Sequence, residues 1–106
     1  MSDLGTVVIV FGEALSAPES CYSLIDAGFD VVAVCRNGFP CGVRKSKHIQ
    51  IIDVTPPEMN YEQCLNEISE LAIKCNAAAI LPLDDVGLWL LNKGRAQFSC
   101  PLVISN

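Results

Sequence analysis

Thr6-Val-Val-Ile-Val-Phe-Gly12 and Asp30-Val-Val-Ala-Val-Cys-Arg36, separated by a helix-like stretch that reaches Gly28, decide the fold. Each segment is apolar at consecutive positions instead of alternate ones. A strand with that pattern is covered on both faces, as strands are inside a parallel sheet flanked by helices. Such sheets gather ligands outside the carboxyl ends of their strands, so Gly12–Ser16 and Arg36–Lys47 are the places to look for function.

Working outward, the first helix is expected to open at Ser16 as N-cap, with Pro18 and Glu19 in its first turn. Its core face carries Cys21, Leu24 and Ile25, and Gly28 ends it in a left-handed conformation. A turn-rich connection, Asn37-Gly38-Phe39-Pro40-Cys41-Gly42, leads to a short edge strand near His48–Ile52 that Asp53 closes, and Pro56-Pro57 breaks regular structure. The clearest helix is Tyr61–Asn76. Asn60 and Gln63 have capping-box spacing, and Tyr61, Leu65, Ile68, Leu71, Ala72 and Cys75 form one apolar stripe. A fourth strand follows at Ala77–Leu83, a third helix from about Asp85 to Arg95, and a fifth strand at Pro101–Ile104. The expected fold is α/β: a three-layer, Rossmann-like, five-stranded parallel sheet of order 3-2-1-4-5 with helices on both faces.

The length of 106 residues suits one domain, and 51% hydrophobic against 18% charged residues describes a chain that buries a core. A net charge of −5 argues against nucleic-acid or anionic-membrane binding by the surface as a whole. No apolar run approaches membrane-spanning length and no signal peptide follows Met1, so a cytoplasmic location is expected. The six cysteines include no Cys-x-x-Cys pair and read as reduced, mostly buried thiols with no metal site.

Several constellations bear on chemistry. Gly12-Glu13-Ala14-Leu15-Ser16 stands where a phosphate cradle would lie, but only Gly12 fits a dinucleotide fingerprint and Glu13 would repel a pyrophosphate. At the end of the second strand NAD enzymes need an acidic side chain, whereas this chain has Arg36, a residue suited to a phosphate or carboxylate. Between Asp30 and Asp53 the chain has no Asp or Glu, yet Arg36, Arg44, Lys45 and Lys47 fall there. The Arg44–His48 cluster either closes over an anionic ligand or faces water. His48, the only histidine, lacks a catalytic companion. Asp53, Asp84 and Asp85 fall at expected strand ends. They read as a receiver-like magnesium site only weakly, because the acidic pair after the first strand is missing and Ser105-Asn106 stands where a lysine is needed. Capping by Asp84 or Asp85 explains that pair simply. The third helix is apolar around nearly its full circumference, which asks for a covering partner near Trp89.

The strand and turn Val7–Gly12, the passage Ala27-Gly28-Phe-Asp-Val-Val-Ala-Val-Cys-Arg36, the basic Arg44–His48 link, Cys75-Asn-Ala-Ala-Ala-Ile-Leu-Pro-Leu-Asp-Asp85 and the closing Pro101-Leu-Val-Ile-Ser105 together resemble the N-terminal, pre-ATP-grasp domain of ATP-grasp carboxylate–amine ligases and carbamoyl-phosphate-synthase-like proteins. The resemblance implies that residues 1–106 are a single domain of a larger ligase, lining the acceptor-substrate side of its cleft. It implies that Gly12, Glu13, Arg36 and Arg44 meet an anionic small molecule, and that the domain holds no catalytic residue, metal or cofactor itself. ATP and magnesium are expected in the ATP-grasp body of the parent protein, whose binding residues have no counterpart here. Two other classes remain open. One is a free-standing Rossmann-like module that binds an anionic metabolite and pairs with a second copy through the Trp89 helix. The other is a thiol enzyme built on Cys41, the one cysteine in a turn beside basic residues.

Overall fold

The computed structural model describes residues 4–104. Its elements run β1 (Thr6–Val10), α1 (Ala17–Asp26), β2 (Asp30–Arg36), β3 (Ile49–Val54), α2 (Pro57–Lys74), β4 (Ala77–Pro82) and α3 (Asp85–Lys93), followed by a 3₁₀ turn at Arg95–Gln97. Four strands form one sheet of order β3-β2-β1-β4, and every neighbouring pair is parallel.

The consecutive apolar runs follow from the register. Val7 and Ile9 pair with Val31 and Ala33, and these four face α1, where Ala17 and Cys21 close the layer. Val8 and Val10 pair with Val32 and Val34 and face the opposite way, onto Cys64, Leu65 and Ile68 of α2 and Leu90 and Leu91 of α3. Two helical layers thus demand hydrophobic side chains at both odd and even positions. Val8, Ile9 and Val10 are fully buried, each worth roughly 2 kcal/mol of removal from water.

Local signals explain most boundaries. Gly28 has φ +104, which lets the chain reverse out of α1 into β2. Ser16 flanks α1 as expected, although its side chain makes no capping hydrogen bond. In α2, Asn60 is extended (φ −161, ψ 94) and its Oδ1 accepts from the Gln63 N–H at 3.0 Å. The long helix therefore starts at the expected cap, and Pro57–Met59 add a separate turn before it. Asn76, at φ 51, reverses the chain from α2 into β4. Asp84 caps α3 by accepting from the Gly87 N–H at 2.7 Å.

The fifth segment lies beside β4 but is not a strand of the sheet. One parallel bridge joins Leu102 to Ile80, with Ile80 N–H donating to Pro101 O and Val103 N–H donating to Ile80 O. Pro101 has no N–H to extend that ladder. Ser105 of the closing segment, and Asn106, lie outside the described residues. Among the described residues, no helix is long and apolar enough to cross a membrane.

Glu67 fastens α2 to the end of β3. Its carboxylate accepts from the Thr55 N–H at 2.7 Å, the Thr55 hydroxyl at 3.2 Å and Gln63 Nε2 at 3.2 Å. Partial burial alone would raise the Glu67 pKa, but these donors outweigh it and hold the group below its ordinary value of 4.5. A depressed folded-state pKa gives stability that is present above the unfolded value and is lost as pH falls through the folded one. Glu67→Gln is expected to cost ~1 kcal/mol at neutral pH and to flatten the loss of stability between about pH 5 and pH 3. Urea denaturation at both ends of that range checks it, and an unchanged acid limb would refute the assignment.

Candidate functional site

The carboxyl ends of β1, β2 and β4 and the first turns of α2 and α3 meet on one rim of the sheet. β1 lies between strands reached by opposite crossovers, so the β1–β4 edge is the topological switch point where open α/β sheets leave a crevice. Here that crevice is closed by backbone. Leu83 N–H donates to Val10 O at 2.7 Å, and a Cβ added at Gly87 would collide with the same carbonyl. The first amides of α3 are turned inward onto Asp84. That leaves the β1–β2 side of the rim for chemistry.

There β1 runs past a cis Val10–Phe11 peptide into Gly12, whose N–H donates to Val34 O at 2.9 Å. Glu13 then folds back toward the end of β2. Its Oε1 accepts from Arg36 Nε at 2.7 Å and from the Arg36 backbone N–H at 3.3 Å. The other arm of the guanidinium, Nη1, donates to Glu58 Oε2 in the separate first turn of α2, ahead of Asn60. Phe39 lies on the guanidinium with its ring centroid 4.3 Å from Cζ, and Phe11 lies 5.3 Å from it. Arg36 is thus held by two carboxylates and two rings.

Burial is uneven across this clamp. The side chains of Arg36 and Glu13 are only 14% and 9% exposed, whereas Glu58 is 51% exposed. Burial alone would lower the Arg36 pKa, but the Glu13 hydrogen bond and the Glu58 and Glu13 charges overcome it and hold the guanidinium above the ordinary arginine value. Glu13 Oε2 is buried and has no hydrogen-bond partner among the described residues. One positive and two negative side chains give the cluster an excess of negative charge. An incoming anion meets this net negative charge at Arg36, and half-exposed Glu58 is the carboxylate that can turn into solvent.

The expected site residues separate into two groups. Gly12, Glu13 and Arg36 come together at this rim. Arg44 is exposed, and among the described residues it has no ion pair. Gly42 still passes near Gly12 O, but the chain then leaves the rim. Ser46 bridges Ile49, and His48 O accepts from the Val31 N–H at the amino end of the sheet. His48 Nδ1 lies 2.9 Å from Asp30 Oδ1, roughly 20 Å of strand away from Arg36. The basic stretch is therefore strung along the sheet edge, not gathered at one point. Asp53, Asp84 and Asp85 do not converge either: among the described residues no group of three metal-ligating side chains forms.

Glu58 was not evident in the sequence, and neither was the partner of Cys41. Glu58 follows Pro56-Pro57, a pair that reads as a break, yet proline at the first helical position with an acid behind it is also a helix-start signal. Cys41 folds back so that its Sγ lies 2.8 Å from Cys35 Sγ and 3.7 Å from Gly12 O. Gly12 is required for that approach, since a Cβ there would sit 2.7 Å from Cys35 Sγ and 3.0 Å from Cys41 Sγ.

Next to the clamp is an apolar cleft of about 390 Å³ lined by Pro57, Glu58, Asp85, Val86 and Trp89. Trp89 remains half exposed, with Tyr61 edge-on at 5.8 Å and Lys93 Nζ over both rings. Glu58 borders both the cleft and the arginine clamp. No protein-family model matches this chain, and no curated protein matches it significantly.

Proposed function

We propose that this chain is the N-terminal, pre-ATP-grasp-like domain of a cytoplasmic ATP-dependent carboxylate–amine ligase, contributing structure and part of the acceptor-substrate surface. The observation that carries the reading is the pairing, on one strand-end rim, of a clamped Arg36 with an apolar cleft at Trp89. The arginine supplies a carboxylate- or phosphate-sized recognition point, with Gly12 and Glu13 beneath it. The cleft offers a surface against which the ATP-grasp body of the parent would pack. In that arrangement ATP and magnesium act in the body, Arg44 reaches the substrate from the side, and the Pro101–Ile104 segment, already bridged to β4 at Leu102, serves as the fifth strand of order 3-2-1-4-5.

Recognition proceeds by exchange: the substrate anion takes the Nη1 arm of Arg36 while Glu58 turns to solvent. Titration with succinate, followed by the ¹⁵Nε signal of Arg36, tests this. Glu58→Gln is expected to tighten binding about threefold to tenfold, because it removes the competing charge without removing the arginine. Equal or weaker binding by the variant would refute the exchange. The isolated chain is expected to show no ATP hydrolysis, and turnover of ATP by it would contradict the division of labour.

The half-exposed Trp89 also favours a second reading, a free-standing module that pairs with a second copy through α3. Sedimentation separates the two: a stable dimer that quenches or shifts Trp89 fluorescence supports the module.

A further inference from the structure

Cys35 and Cys41 are six residues apart in the chain and belong to different environments. Cys35 is the last fully buried residue of β2, while Cys41 sits partly exposed in the turn-rich connection beyond it. Gly38, at φ +89, lets that connection double back, and Val43 anchors its far end in the α1-side core. The two sulfurs end 2.8 Å apart over the bare α-carbon of Gly12, about 0.8 Å beyond the length of a disulfide bond.

We propose that Cys35 and Cys41 are a redox pair that closes to an intramolecular disulfide by exchange with a low-molecular-weight disulfide. Cys41 attacks first, being the exposed member. Its thiolate displaces one thiolate from the incoming disulfide, leaving a mixed disulfide on Cys41. Cys35 then attacks Cys41 Sγ, the Cys35–Cys41 bond forms, and the second small thiolate leaves. The two protons lost by the cysteines end on the two small thiols released, so the pair is oxidised by two electrons and the small disulfide is reduced by two.

The order of events follows from burial. Burial first, and then the contact with Cys41, pushes the Cys35 thiol above its ordinary value, which makes it a poor initial nucleophile. Held against Cys41, it needs no diffusional encounter in the second step. The product carries no charge, so burying it has no desolvation cost. In a reducing compartment the pair rests open and closes only when the small-disulfide pool rises. The ring so formed contains Arg36 and Phe39, and closing it restrains the aromatic cover over the guanidinium.

The test is to expose the reduced full chain to oxidised glutathione, trap remaining thiols with N-ethylmaleimide and map the products by mass spectrometry. The expected main product has lost two hydrogens, links Cys35 to Cys41 and is restored by dithiothreitol. In Cys35→Ser the resolving sulfur is gone, so the glutathionyl adduct on Cys41 should accumulate at least tenfold above its level in the parent chain. A parent chain that stops at the Cys41 adduct, leaves Cys41 unmodified, or joins Cys41 to Cys21 or Cys75 to Cys100 in preference would overturn the proposal. So would a Cys35→Ser chain with no more adduct than the parent.

Discussion

Gly87→Ala should destabilise the protein by about 3 kcal/mol, the largest single-methyl effect in the chain, because the added carbon meets backbone that cannot retreat. Gly87 lies in the first turn of α3, and its Cβ would be driven into the Val10 carbonyl and within 3.1 Å of Asp84 Oδ1. Val10 O is already fixed by the Leu83 N–H, and Asp84 by its cap onto Gly87. Moving α3 outward to relieve the clash would pull Leu90 and Leu91 from the core. Gly94→Ala is the informative control. Its Cβ would press on the buried Leu65 side chain, which can shift where a backbone carbonyl cannot, so a smaller cost of ~1–2 kcal/mol is expected. Chemical denaturation of both variants decides the matter. If Gly87→Ala loses no more than Gly94→Ala, the close approach of α3 to β1 does not have the weight assigned to it.

That approach was not legible in the sequence, and the reason is general to what was missed. Periodicity reports which faces of an element are covered. Val7 to Val10 and Val31 to Val34 therefore revealed a doubly covered parallel sheet, and Asn60 and Asp84 revealed their helix starts through short-range side-chain chemistry. Contacts between residues distant in sequence leave no such trace. Glu58 reaches Arg36 only because a turn at Pro57–Met59 precedes the long helix, and Cys41 reaches Cys35 only because the connection doubles back. Pro101–Ile104 has strand-like composition, but a proline at its start leaves only one bridge to β4. Arg36 was grouped with Gly12, Glu13 and Arg44 around an anion, and its direct pairing with Glu13 and Glu58 changes what it can do.

Arg36→Ala should cost about 3 kcal/mol, well above an exposed ion pair, because it strands Glu13. The Glu13 side chain is 91% removed from solvent, one of its oxygens already has no partner among the described residues, and the other depends on Arg36. Removing the guanidinium leaves that carboxylate with only the Arg36 backbone N–H at 3.3 Å. It also uncovers the rings of Phe11 and Phe39 that flank the cation. The diagnostic is non-additivity. Glu13→Gln in the Arg36→Ala background takes away the stranded charge while keeping the side chain's shape, so the double variant should regain more than ~1 kcal/mol over Arg36→Ala alone. Glu58→Gln in the same background should regain almost nothing, since Glu58 is half exposed and remains hydrated without its partner. Equal rescue by the two glutamine substitutions would mean that Glu13 is not the buried half of the clamp. The exchange mechanism would then lose its fixed point, because an anion could displace either carboxylate and leave Arg36 free to move with it.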